Sequence, residues 1–222
     1  MFIGHFAVAM AAKRAAPRTS LGTLTLAAQL LDLLWPLLLL AGVETVEIRP
    51  GDTAFTPLAF THYPVSHSLA TALGWAAGFA VLYYAATRYG RGALLVAVLV
   101  VSHWVLDWIT HRPDLPLWPG GPLQGLGLWN SVAATLVVET LVFAAGLAVY
   151  LRATRARDPL GRWNAVAFAA FLFAAYLAAA FGPPPPDVRT LAYSAFAVWL
   201  LVAWAAWVDR HREAASDKAK RG

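Results

Sequence analysis

The chain has 222 residues, 59% of them hydrophobic and only 13% charged, with a formal net charge of +5 and no cysteine. A soluble globular domain carries about 25% charged residues. Here the apolar residues instead fall in runs of about twenty, the length that crosses a hydrocarbon core. These figures exclude a soluble core, disulfide cross-links and thiolate metal ligands, and membrane topology explains the basic excess without any direct nucleic-acid partner.

Residues 2–12, FIGHFAVAMAA, are apolar except for His5 and end at Lys13 and Arg14. Eleven helical residues rise roughly 16 Å, about half a bilayer core, so this is expected to be a half-span or re-entrant helix. With no basic stretch ahead of it, it does not read as a signal peptide. The first full span is 21–42, interrupted by Gln29 and Asp32 and expected to kink at Pro36. A polar loop, 43–65, ends in HYPVSHS. The second span is 67–87 and the third 92–110. A Pro/Gly-rich loop with Trp118 and Trp129 at interface positions leads to the fourth span, 129–151, which carries Glu139. The fifth span is 163–181 and the sixth 188–208. A charged tail from Asp209 is expected to fray. The expectation is an all-α integral membrane protein of about six spans plus the short N-terminal helix. It forms a single domain over 1–208, with its motifs confined to 1–120 and a cytoplasmic tail at 209–222.

The basic residues set the orientation. Lys13, Arg14, Arg18, Arg88, Arg91, Arg152, Arg155, Arg157, Arg162, Arg210, Arg212, Lys218, Lys220 and Arg221 fall on one side, and only Arg49, Arg112 and Arg189 on the other. The positive-inside rule then places both chain ends in the cytoplasm of a bacterial-type inner membrane.

Within SHWVLDWITHRPD, residues 102–114, His103, Asp107 and His111 follow one another at spacings of four, which on a helix stacks them on one face. Imidazole and carboxylate suit zinc and similar divalent ions. Counted from the basic residues, Asp32 lies roughly 20 Å and His103 roughly 18 Å up their helices, with His5 lower at roughly 12 Å. His67 opens the second span from the far side. Each has a plain alternative: His103 with Asp107 as a hydrogen-bonded i,i+4 pair, Asp32 with Gln29 as an interhelical clamp, Glu139 as a structural ion-pair partner, His5 as a cap, and His62 and His111 as interfacial histidines. The functional reading rests on the convergence of His5, Asp32, His67, His103 and Asp107 in one layer toward the outer face, because scattered polar groups in lipid are costly.

Four elements together resemble a known family: Gly4-His5, LLDLLWP around Asp32, HYPVSHS with histidines five apart, and SHWVLD followed by LPLWP. They are similar to the inner-membrane-associated metal-dependent hydrolases whose founding bacterial member is described as LexA-binding, and more distantly to zinc-dependent phospholipase C and P1-type nucleases. The resemblance covers roughly the first 120 residues. It implies that His5, Asp32, His67, His103 and Asp107 are metal ligands, with His62 a ligand or a support for one. It also implies one to three ions, zinc foremost and manganese possible. The family's first-span motif has a second acid and then a histidine where this chain has Leu34 and Trp35, which points to fewer ions or altered activity.

A divalent ion lowers the pKa of bound water and polarises an ester oxygen. The expected activity is therefore hydrolysis of a phosphoester or other ester of a lipid or lipid-linked substrate, with Glu139, Asp114 or His111 as candidate catalytic groups and Arg112 as a phosphate holder. The alternative is a non-enzymatic membrane protein, either a structural or regulatory partner of an unspecified protein or a metal or proton transporter.

Overall fold

The structure, a computed structural model, describes residues 1–215. Helices dominate it. α1 (Phe2–Ala15), α2 (Leu21–Ala28) and α3 (Leu30–Leu40) precede a β-hairpin, β1 (Thr45–Ile48) with β2 (Leu58–His62). A single turn, α4 (Pro64–His67), leads into α5 (Leu69–Thr87) and α6 (Gly90–Thr110). The short pair β3 (Leu115–Pro116) and β4 (Leu123–Gln124) follows. After it come α7 (Val132–Ala153), β5 (Thr154–Ala156), α8 (Pro159–Phe181), α9 (Val188–Ala195), α10 (Ala197–Arg210) and β6 (Arg212–Ala214). Five helical stretches are long and apolar enough to cross a membrane, and α2 with α3 makes a sixth if the bent pair is one span. The protein is thus an all-α integral membrane protein. Leu82, Leu94, Leu141 and Leu200 are 64–72% exposed, the outward apolar surface that lipid solvates.

Two apolar clusters form the interior. One joins α2, α3, α5 and α6 through residues such as Leu24, Leu31, Ala72, Val96 and Val100. The other joins α1, α7, α8 and α10 through Phe6, Phe143, Phe168, Leu172 and Ala205. α1 contributes Ala9 to the first and Ile3, Phe6 and Met10 to the second, so it is the shared wall. It is short, 14 residues, and largely buried, so the position of His5 is fixed by packing on two sides.

Three expectations are corrected. The first span bends by 54° at Gln29, not at Pro36, which stays inside α3. The break leaves the Ala28 carbonyl at the end of a helix and free to take a tertiary donor, and His103 Nδ1 takes it at 2.7 Å. Gln29 does not clamp Asp32, for both polar atoms of its buried amide lack a hydrogen-bond partner. The tail does not fray at Asp209: β6 pairs with β5, and Arg155 meets Glu213 at 2.6 Å. The rest of the tail, including Lys218, Lys220 and Arg221, lies outside the described residues.

The basic residues gather at one end of the bundle. Lys13 Nζ is 2.7 Å from Asp209 Oδ2, and the Arg18 guanidinium lies 4.6 Å above the Tyr89 ring. The hairpins β1–β2 and β3–β4 lie at the other end of the spans that flank them.

Candidate metal centre

Three helices and one helical turn deliver the site. α6 supplies His103 and Asp107, one turn apart; α1 supplies His5, α3 supplies Asp32 in its first turn, and α4 supplies His67. An acid in a first turn is favoured by the helix dipole. His5 and His103 stack face to face with centroids 3.8 Å apart, and His67 meets His103 edge-on at 5.4 Å. His103 Nε2 lies 3.1 Å from Asp107 Oδ2 and 3.6 Å from Asp32 Oδ1. His67 Nε2 lies 3.5 Å from Asp32 Oδ1 and 3.7 Å from Asp107 Oδ2. His5 Nε2 lies 3.1 Å from Asp107 Oδ1. The α-amino group of Met1 also contacts Asp107 Oδ1. The ligand atoms form two groups that share His103: His5, His103 and Asp107, and Asp32, His67 and His103, each within 4.8 Å.

The donor set fits a divalent ion. His103 gives its Nδ1–H to the Ala28 carbonyl, so in the neutral ring the lone pair is on Nε2. That atom is buried and carries no hydrogen in this tautomer, and it has no hydrogen-bond partner although a carboxylate oxygen is 3.1 Å away. A lone pair aimed among two carboxylates is the arrangement a shared cation resolves.

Five residues of the sequence reading lie elsewhere. α6 ends at Thr110, and His111 is extended with ψ 149°, so the four-and-four stack stops at Asp107. Pro113 disfavours helix at Arg112, the residue before it, and α6 ends two residues ahead of that point. His111 Nδ1 instead sits 2.9 Å from Asp114 Oδ1, and Tyr63 donates to the same oxygen at 2.7 Å. Phe60 and Trp129 pack on the His111 ring at 4.8 and 4.2 Å. Burial and the Asp114 carboxylate push the Tyr63 hydroxyl well above its ordinary pKa, which keeps it a donor. Arg112 Nε pairs with Asp52 Oδ2 at 3.0 Å, tying the first hairpin to the end of α6. Glu139 accepts the backbone N–H of Ile3 at 3.0 Å and so caps α1. His62 is exposed at the end of β2, outside both ligand groups.

Glu44 and Ser66 belong to the site and were not among the candidates. Buried Glu44 accepts from the backbone N–H groups of Val65 and Ser66 at 2.8 and 2.7 Å and from Ser66 Oγ at 2.6 Å. Ser66 Oγ is also 2.6 Å from His67 Nδ1. No spacing rule links residue 44 to residue 66. The hairpin register, with Thr45 opposite His62, makes them neighbours.

A cavity of about 720 Å³ runs between α3, α8, α9 and α10, lined by apolar residues such as Trp35, Phe171, Leu201 and Trp204, with Asp32 on its wall. The Asp32 side chain is 34% exposed, against 5% or less for the other four ligand residues. Among the described residues, Asp32 is where the centre opens to its surroundings.

Fold and site together define a multi-pass membrane protein with a buried histidine–aspartate centre. Residues 1–183 match the family model described as YdjM inner membrane protein, and the chain belongs to that family. No curated protein and no solved structure matches it.

Proposed function

We propose that this protein is a membrane-embedded, metal-dependent hydrolase that cleaves a phosphoester or other ester of a lipid-like substrate. The observation that carries the reading is the partnerless His103 Nε2, buried between two carboxylates and beside two further imidazoles. His5, His67, His103, Asp107 and Asp32 would hold zinc, or manganese in its place. A bound ion there would supply an acidified water and a polarised ester oxygen. Asp32, alone of these five in facing the groove, is the ligand beside which a substrate ester would lie. His111 and Asp114 are bonded to one another and to Tyr63, and Glu139 caps α1 through Oε2, so this scheme assigns them no step. The apolar groove supports an amphiphilic substrate, since a hydrocarbon chain can lie in it with the ester at Asp32. The site faces the outer leaflet if the basic end is cytoplasmic.

Elemental analysis of detergent-purified protein tests this, with wild type beside His67→Ala and His103→Ala. The expected result is at least one equivalent of zinc or manganese, lost in both variants, and hydrolysis in a screen of lipid phosphoesters. Ser194→Trp, which fills the groove wall, should lower turnover of long-chain esters while leaving metal content and short-chain hydrolysis intact. Wild type that takes up no ion, even from excess, would overturn the reading. The histidines would then be packing and hydrogen-bonding partners of two carboxylates in a non-enzymatic membrane protein.

A further inference from the structure

We propose that Glu44 and Ser66 are positioning residues that fix the tautomer of His67, so that its Nε2 lone pair faces Asp32 and Asp107. The consequence for metal affinity rests on the metal reading above; the tautomer itself does not.

The argument is a count of hydrogens. Ser66 Oγ–H donates to Glu44 Oε2 at 2.6 Å. A hydroxyl has one hydrogen, so toward His67 Nδ1, also at 2.6 Å, Ser66 can only accept. The imidazole hydrogen therefore sits on Nδ1, and the lone pair of the neutral ring is left on Nε2. That atom is directed at Asp32 Oδ1 and Asp107 Oδ2, 3.5 and 3.7 Å away. His103 reaches the same state through a backbone carbonyl. The two rings are thus set alike by different devices, one a main-chain acceptor and the other a carboxylate–hydroxyl pair. Partners of this kind fix ring orientation and raise ligand basicity.

Glu44 also has a plainly structural task. Its Oε1 takes the N–H groups of Val65 and Ser66 and anchors the turn that carries His67. Ser66→Ala leaves both bonds in place and removes only the hydroxyl, so it separates the two roles. Glu44→Gln makes a sharper test. The amide oxygen still accepts the two backbone N–H groups, but the NH2 group now donates to Ser66. The hydroxyl must then turn and donate to His67 Nδ1, which moves the ring hydrogen to Nε2.

The experiment uses the full chain in detergent, metal-free and labelled with 15N-histidine. Ring nitrogen shifts report the tautomer, and His67 is identified by the signal missing from His67→Gln. Co2+ affinity is measured on the same proteins by chelator competition, with the ligand-field spectrum as the signature. Wild type is expected to show Nδ1–H at His67. Ser66→Ala should mix the tautomers and weaken Co2+ by about 10–100-fold, alongside a lowered metal-free unfolding midpoint because the buried Glu44 Oε2 loses its donor. Ser66→Thr should restore both properties, and Glu44→Gln should reverse the tautomer. Hydrogen on Nε2 in wild type, or a Ser66→Ala protein with unchanged tautomer and affinity, would overturn the proposal. Wild type with the expected tautomer that takes up no Co2+ would overturn the metal reading and leave this one supported.

Discussion

Ser68 accepts the backbone N–H of Thr71 at 3.2 Å and caps α5, while Ser66, two residues earlier, faces Glu44 and His67. The two hydroxyls flank one candidate ligand and differ in what they touch. Ser68→Ala should therefore cost roughly 0.5–2 kcal/mol of stability, the usual value of a lost serine cap, with metal affinity unchanged. Ser66→Ala should lower the affinity, with a loss of stability of its own because Glu44 Oε2 is left without its donor. Denaturant unfolding and chelator competition on the two variants check this pair, and equal loss of affinity in both would show that only the backbone around His67 matters. The sequence displays both serines beside His67 but not this division of labour. A cap is a local matter of three residues, whereas the partner of Ser66 is 22 positions away.

α1 has no acid of its own in its first turn and borrows Glu139 of α7 as its cap. The same two helices close to backbone contact at Gly146, where a Cβ would stand 2.3 Å from the Ala7 carbonyl oxygen. Ala7 is two residues from His5, so the seat of that ligand depends on a glycine in another helix. Gly146→Ala should force the helices apart at a cost on the order of 1–3 kcal/mol, as overpacking does. It should also lower metal content although every ligand is present. Retention of full metal content with a lowered unfolding midpoint would show that His5 is dispensable to the centre. The bend between α2 and α3 acts at the same scale, because it frees the carbonyl that orients His103 and turns Asp32 toward both the centre and the groove.

Across the whole molecule, charge and apolar surface are segregated along the bundle axis. The natural absence of cysteine permits a direct test of sidedness. A single cysteine at Gly120, in the loop after α6, should react with a membrane-impermeant maleimide added to intact cells. One at Arg157, in the loop after α7, should react only after the membrane is opened. The opposite pattern would put the groove and centre toward the cytoplasm. Composition and span length by themselves determined the membrane class and the helical architecture, because hydrocarbon solvates only long apolar helices and the basic excess gathers where translocation is costly. They put the spans at about six, where the structure has five, or six with the bent α2–α3 pair as one. The i,i+4 spacing of His103 and Asp107 and the motif resemblance made the candidate ligands legible. Only the tertiary structure decided that His111 leaves the helix for Tyr63 and Asp114, that Glu139 caps α1, that β6 returns to β5, and that Glu44 reaches His67 through Ser66. Spacing rules see one helix or one strand at a time, whereas these contacts are set by how separate elements pack and by the demand that each buried polar group find its partner.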